Sequence, residues 1–129
     1  MKCLVTGGCG FIGGHLVDEL VRSFHNVVVV DNLSAESNTF WHNVSSNVTY
    51  HNVDICDFNG MESLFKLEKF DLVFHLAAES RIQPALINPI KASHVNVTGT
   101  CTLLNLARDY NVKRFVYSST SACYGEKNA

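Results

Sequence analysis

Runs of consecutive apolar residues alternate along this chain with stretches whose apolar positions recur every three or four residues. Cys3-Leu4-Val5 forms the first run, Val27-Val28-Val29-Val30 the second and Leu72-Val73-Phe74 a later one. Strands that are apolar throughout belong in a sheet covered on both faces, the habit of parallel sheets. Between the first two runs, Ile12, Leu16, Val17, Leu20 and Val21 repeat at helical spacing. The pattern predicts strands over 2–6, 26–31, 48–53, 71–76 and 113–118. It predicts a helix over 11–23 and another over 58–67, the latter capped by Asp57 with Met61, Leu64 and Phe65 facing inward. A third, long helix starts at Asn88-Pro89, an N-cap followed by proline at the first helical position, and runs to about Tyr110. The polar stretch 32–46 reads as a loop with at most a short helix near 36–42. Strand–helix alternation with right-handed crossovers gives an α/β fold, a doubly wound parallel sheet of about five strands in order 3-2-1-4-5. A ligand is then expected at the carboxyl ends of the strands, near the switch point between strands one and four.

The chemistry gathers at those ends. Strand one runs into Gly7-Gly8-Cys9-Gly10-Phe11-Ile12-Gly13, glycines spaced G-x-x-G-x-x-G ahead of a helix. Gly7 suits a tight turn, Gly10 lets main-chain N–H groups approach phosphate oxygens, and Gly13 permits close helix packing. The N–H groups of the helix's first turn, at the positive end of its dipole, face the anion. A glycine-rich turn alone is common. Here a strand precedes it, a helix follows, and Asp31 closes the second strand about 20 residues on, the context of a dinucleotide site. A carboxylate at Asp31 can accept both ribose hydroxyls and repels a 2′-phosphate, favouring NAD over NADP. The absence of Arg and Lys from 23–65 points the same way.

Strand three leads to Asp54-Ile55, where the carboxylate either accepts from an adenine amino group, with Ile55 over the ring, or serves as a turn residue. Strand four leads to His75-Leu76-Ala77-Ala78-Glu79-Ser80, whose small alanines let a cofactor pass close to the backbone. His75 reads as a core or supporting residue, since no other ligand is spaced to make a metal site. Glu79 is either a solvated loop charge or a sugar contact. Strand five ends in Tyr117-Ser118-Ser119-Thr120-Ser121, hydroxyls that suit a hydroxyl-rich substrate or a polar turn.

Composition narrows the class. The chain has 129 residues, 47% of them hydrophobic, with a formal net charge of −2, which fits one domain over 1–129 with a packed core. There is no basic excess for nucleic acid, no apolar stretch long enough for a membrane span, and no signal-peptide pattern at the start. Five scattered cysteines without a C-x-x-C pair fit a reducing, cytoplasmic setting. Cys3 and Cys101 are expected as small buried hydrophobes, whereas Cys9 stands near a helix N-terminus, a position that lowers thiol pKa.

With these pieces in order from residue 2 to residue 125, the chain resembles the N-terminal part of the extended short-chain dehydrogenase/reductase family. The matching branch is the NAD-dependent epimerases and dehydratases of sugar nucleotides, UDP-glucose 4-epimerase among them. The segments carrying the resemblance are 6–13, Asp31-Asn32-Leu33-Ser34, Asp54-Ile55, 75–80, Asn96-Val97-Thr98-Gly99-Thr100 and 116–125. The resemblance implies a Rossmann fold, truncated relative to the family and without its substrate domain. It implies that Gly7, Gly10, Phe11, Ile12 and Gly13 hold the NAD pyrophosphate. Asp31 binds the adenosine ribose with Asn32 and Ser34 nearby, and Asp54 and Ile55 frame adenine. Leu76, Ala77, Ala78, Asn96 and Ser118 stand on the cofactor side, and Thr120 hydrogen-bonds the sugar hydroxyl being oxidised.

The family's general base is a tyrosine in Y-x-x-x-K, and no tyrosine of this chain has a lysine four residues on. A second departure is Pro84-Ala85, where many relatives carry a serine. The resemblance therefore implies the cofactor half of an enzyme, inactive alone, whose partner is a UDP- or dTDP-sugar once a C-terminal half completes it. The alternatives are a stand-alone dinucleotide-binding module, a subunit of a split enzyme, or a degenerate remnant without ligand. An uncovered sheet edge at strand five would invite a homodimer.

Overall fold

Five strands pair in parallel: β1 (Lys2–Thr6), β2 (Asn26–Val30), β3 (Val48–His51), β4 (Leu72–His75) and β5 (Arg114–Tyr117). The computed structural model describes residues 1–23, 25–32, 47–77 and 86–118. The sheet order is β3-β2-β1-β4-β5, as the sequence pattern predicts. All strands but the first end one or two residues short of the expected carboxyl limit. The short helix expected near 36–42 lies outside the described residues.

Alternate residues of each strand point to opposite faces, so the two faces build separate cores. Cys3 and Val5 of β1 join Val27 and Val29 of β2 beneath Val17 and Leu20 of α1 (Phe11–Arg22). Leu4, Val28, Val30 and Val73 face the other way. They meet Met61, Leu64 and Phe65 of α2 (Phe58–Glu68) and Leu103 and Leu106 from the end of the long helix. Burying each large side chain contributes about 1.5–3 kcal/mol.

Asp57 caps α2 as expected, its carboxylate accepting from Gly60 N–H at 3.2 Å. Asn88 Oδ1 accepts from Lys91 N–H at 3.1 Å and Pro89 follows it, again as expected.

The long helix itself differs from its expected regularity. It consists of α3 (Pro89–Ser93), a π-helical segment (His94–Thr98) and α4 (Gly99–Asp109). Gly99 N–H donates to His94 C=O, five residues back, and the Cys56 thiol donates to the same carbonyl at 3.5 Å. A Cβ on Gly99 would lie 2.6 Å from Ile55 Cδ1, so this glycine lets the helix settle directly on the loop after β3.

Candidate functional site

The parallel register brings all five carboxyl ends to one level. Thr6 is level with Val30 and with His75, Val30 with His51, and His75 with Tyr117. The residues that follow are tied to the neighbouring strand. Gly7 N–H donates to Val30 C=O (2.8 Å), Asp31 N–H to His51 C=O (3.2 Å), Leu76 N–H to Thr6 C=O (3.1 Å) and Ser118 N–H to His75 C=O (3.2 Å). Gly7, Asp31, Leu76 and Ser118 thus line a single edge, with Asn32 and Ala77 next to them in sequence and Asp54 three residues beyond β3.

The glycine loop is built around close backbone contacts. Gly7 has φ +72°, and a Cβ there would lie 2.8 Å from Ala77 N. Left-handed backbone costs a side chain roughly 1–2 kcal/mol before any collision. A Cβ on Gly13 would lie 2.2 Å from Gly7 C=O oxygen, so α1 sits hard against the turn. Gly10 is different. Its φ of −77° and ψ of 178° suit any residue, and a Cβ there would only approach Gly7 O at 3.3 Å. The fold does not require glycine at this position. Its bareness leaves the first turn of α1 uncovered, without a capping side chain and without an acidic residue in it. The neighbouring Phe11 and Ile12 are 70% and 67% exposed, apolar surface flanking that turn.

Asp31 is half-buried and is tied to the loop, its Oδ2 accepting from Cys9 N–H at 3.1 Å. The carboxylate is therefore fixed beside the glycine turn rather than left to solvent. The Cys9 side chain points into the α1-side core, 2% exposed. Burial, with the Asp31 charge added, pushes its thiol up to about 11. The expected lowering is corrected, because the thiol faces apolar neighbours and not the helix dipole. Cys3 is buried as expected, but Cys101 is exposed on α4, which corrects the second cysteine expectation.

Three further placements refine the expected site. Asp54 Oδ1 accepts from Cys56 N–H at 2.8 Å, so this carboxylate works at least in part as a turn residue. Ile55 is 5% exposed and packs in the core under α4 against Gly99. Its side chain is thus taken up largely by the core. Asn96 lies in the π segment, where its C=O accepts the Thr100 hydroxyl at 2.7 Å. Ser34, Ala78 and Thr120 lie outside the described residues, as do Glu79 and Pro84.

A buried polar cluster below the edge had only a weak sequence signal, a threonine and a histidine inside otherwise apolar strands. Thr6 and His75 are both essentially inaccessible. Thr6 Oγ1 meets His75 Nδ1 at 2.7 Å and accepts from Leu76 N–H and Ala77 N–H, each at 3.1 Å. His75 Nε2 meets Thr100 Oγ1 at 2.8 Å. Burial holds the imidazole pKa down at about 4, so the ring is neutral at ordinary pH. Among the described residues no group of His, Cys, Asp and Glu could hold a metal, and no helix is long and apolar enough to cross a membrane.

A doubly wound sheet with a glycine turn and an acid after the second strand defines the dinucleotide-binding class of α/β folds. The chain belongs to the GDP-mannose 4,6 dehydratase family, whose family model matches residues 4–129. A UDP-glucose 4-epimerase from Thermotoga maritima, solved with UDP-glucose, superposes with TM-score 0.88 at 39% identity, over 100% of this chain and 41% of its own. A UDP-glucose 4-epimerase from Thermus thermophilus, solved in complex with NAD, gives TM-score 0.84 at 36% identity, over 93% of this chain and 38% of its own. A dTDP-D-glucose 4,6-dehydratase of Dictyostelium discoideum is 37% identical over 131 residues, 96% of this chain and 30% of that protein. The chain spans 30–40% of the length of the curated relatives it matches, corresponding to their N-terminal part.

Proposed function

We propose that residues 1–129 bind NAD along the carboxyl edge of the sheet, as the cofactor-holding part of a sugar-nucleotide epimerase or dehydratase. The observation that carries this is the bare Gly10 turn with the Asp31 carboxylate fixed beside it by Cys9 N–H. Uncovered main-chain N–H groups at a helix start suit a pyrophosphate, and an adjacent carboxylate suits a ribose diol. The cradle fits the group: a side chain at Gly10 would fill it, and none is present. Gly7, Gly10, Phe11, Ile12 and Gly13 are assigned to the pyrophosphate, Asp31, Asn32 and Ser34 to the ribose, and Asp54 with the Ile55 main chain to adenine. Leu76, Ala77, Ala78, Asn96 and Ser118 form the remaining cofactor side.

When bound, NAD supplies a hydride acceptor for the sugar carbon bearing the oxidised hydroxyl. Thr120 is assigned the hydrogen bond to that hydroxyl. Residues 1–129 contain no Y-x-x-x-K, so a positioned base has to come from elsewhere, and its lack typically costs 10²–10⁴-fold. Negligible turnover of UDP-glucose by residues 1–129 alone is therefore expected. A second arrangement has this unit dock with a polypeptide that supplies Tyr, Lys and the sugar site. The exposed Val116 and Tyr117 of edge strand β5 offer a surface for that or for a second copy.

Calorimetric titration with NAD tests the reading, comparing the wild type with Asp31→Ala. Removing hydrogen bonds to a charged group, each worth about 1.5–3 kcal/mol, weakens NAD roughly ten- to hundredfold. Equal affinities, with unchanged thermal stability, would refute the ribose assignment.

A further inference from the structure

The hydrogens of the buried cluster can be assigned by elimination. A carbonyl only accepts, so the Thr100 hydroxyl hydrogen goes to Asn96 C=O. Thr100 Oγ1 then has only lone pairs for His75, and Nε2 must carry the ring hydrogen. In a neutral ring Nδ1 is left as an acceptor, so the Thr6 hydroxyl donates to it. The two lone pairs of Thr6 Oγ1 take Ala77 N–H and a share of Leu76 N–H, which Thr6 C=O also accepts at 3.1 Å. Every side-chain position is filled, and all three side-chain hydrogens point the same way, from the sheet edge towards the π segment.

The upper end of this chain is the carboxyl edge of the sheet, the floor of the cleft in which the dinucleotide is proposed to lie. Leu76 and Ala77 are main chain at the edge, and Ala77 N lies 2.8 Å from where a Gly7 side chain would begin. The lower end is Asn96 C=O inside the π segment, where the helix departs from regular geometry. Phe115 and Tyr117 of β5 lie beside the ring, with centroids 6.2 and 5.7 Å away.

We propose that His75 is a positioning residue for the dinucleotide: held as the Nε2–H form between Thr6 and Thr100, it locks the Leu76–Ala77 backbone of the cleft floor to the π segment of the long helix. This rests on the NAD reading above. Thr100 is the link to perturb, because its side chain lies between His75 and the helix rather than at the cleft. Thr100→Val keeps the shape and removes the acceptor for Nε2–H, whereas Thr100→Ser keeps the hydroxyl.

The test uses the full chain labelled with ¹⁵N. Three readouts are taken: the His75 ring nitrogen shifts, the hydrogen exchange of the Leu76 and Ala77 amides, and the Kd for NAD. The wild type is expected to show the Nε2–H tautomer. Thr100→Val is expected to mix the tautomers, speed exchange at those two amides, and weaken NAD about three- to tenfold, the size of one buried hydrogen bond. Thr100→Ser is expected to restore all three. An Nδ1–H ring in the wild type, or a Thr100→Val chain with unchanged amides and unchanged Kd, overturns the proposal. If the wild type fails to bind NAD while the tautomer and amides respond as expected, the NAD reading falls and the lock itself stands. Should Thr100→Val not fold, the wild-type ring shifts and Thr100→Ala decide.

Discussion

Alanine at position 10 separates what the fold needs from what a ligand needs. The backbone there is extended, φ −77° and ψ 178°, and alanine adopts it without strain. The new methyl would approach one atom, Gly7 O, at 3.3 Å, a tight contact that a shift of a few tenths of an ångström relieves. Replacing Gly by Ala at a compatible site stabilises by about 0.4–1 kcal/mol through the unfolded chain. The two effects oppose each other, so folding stability should change by less than about 1 kcal/mol. Binding should not be spared. The methyl occupies the approach to the first turn of α1, and each lost hydrogen bond to a charged phosphate is worth about 1.5–3 kcal/mol. A loss of roughly ten- to hundredfold in NAD affinity follows. Gly13→Ala is the contrasting control. Its Cβ would lie 2.2 Å from Gly7 O and 2.8 Å from Gly8 Cα, both backbone, so α1 must move off the turn. Overpacking of this kind costs about 1–3 kcal/mol, and Gly13→Ala should lose stability as well as affinity. Urea unfolding and NAD calorimetry on the two variants provide the comparison. A Gly10→Ala chain that binds NAD as the wild type does would refute the cradle. A Gly10→Ala chain that loses as much stability as Gly13→Ala would refute the geometry.

Three further outcomes are expected. The His75 pKa is about 4 in the fold and about 6.5 when unfolded, so the unfolded chain takes up a proton that the fold refuses. Stability from this group is complete above pH 6.5 and is lost as pH falls towards 4, at most about 3 kcal/mol. Urea unfolding between pH 7 and 4.5 should show that slope, and His75→Gln should flatten it. Thr6→Val strands Ala77 N–H and the ring, while Leu76 N–H keeps Thr6 C=O, and should cost about 1–3 kcal/mol in unfolding free energy, whereas Thr6→Ser should recover most of it. With a thiol reagent on the native chain, Cys101 should react ahead of Cys3 and Cys9, which should react only on unfolding, read by mass spectrometry; early labelling of Cys9 would contradict its burial.

The parallel sheet was legible because four successive valines in 27–30 leave no polar face, and the strand order followed from alternation with helices. Gly7 and Asp31 were legible too, since a positive φ and an acid at a strand end are local features with residue-type signatures. The π segment was not. It ends at Gly99, which meets Ile55 across the fold, and Val95, Asn96, Val97 and Thr98 weaken an ordinary helix without specifying a π turn. The burial of Ile55 was not legible either, because the helix that buries it arrives some forty residues later. Cys9 illustrates a different failure. Proximity to a helix start was visible, but the side-chain direction that turns the thiol into apolar surroundings was not. The roles assigned to Ser34, Ala78 and Thr120 concern residues outside those described and rest on the resemblance.

The shared direction of the hydrogens under the cleft has a consequence for how this sequence can vary. Because each hydroxyl or ring both gives and takes, no member of Thr6, His75 and Thr100 can be exchanged for an apolar residue without orphaning its neighbour in the dry interior. Single exchanges should each be costly, while a matched hydrocarbon triple should lose far less than their sum. These three positions are thus one unit of inheritance, intolerant of piecemeal drift.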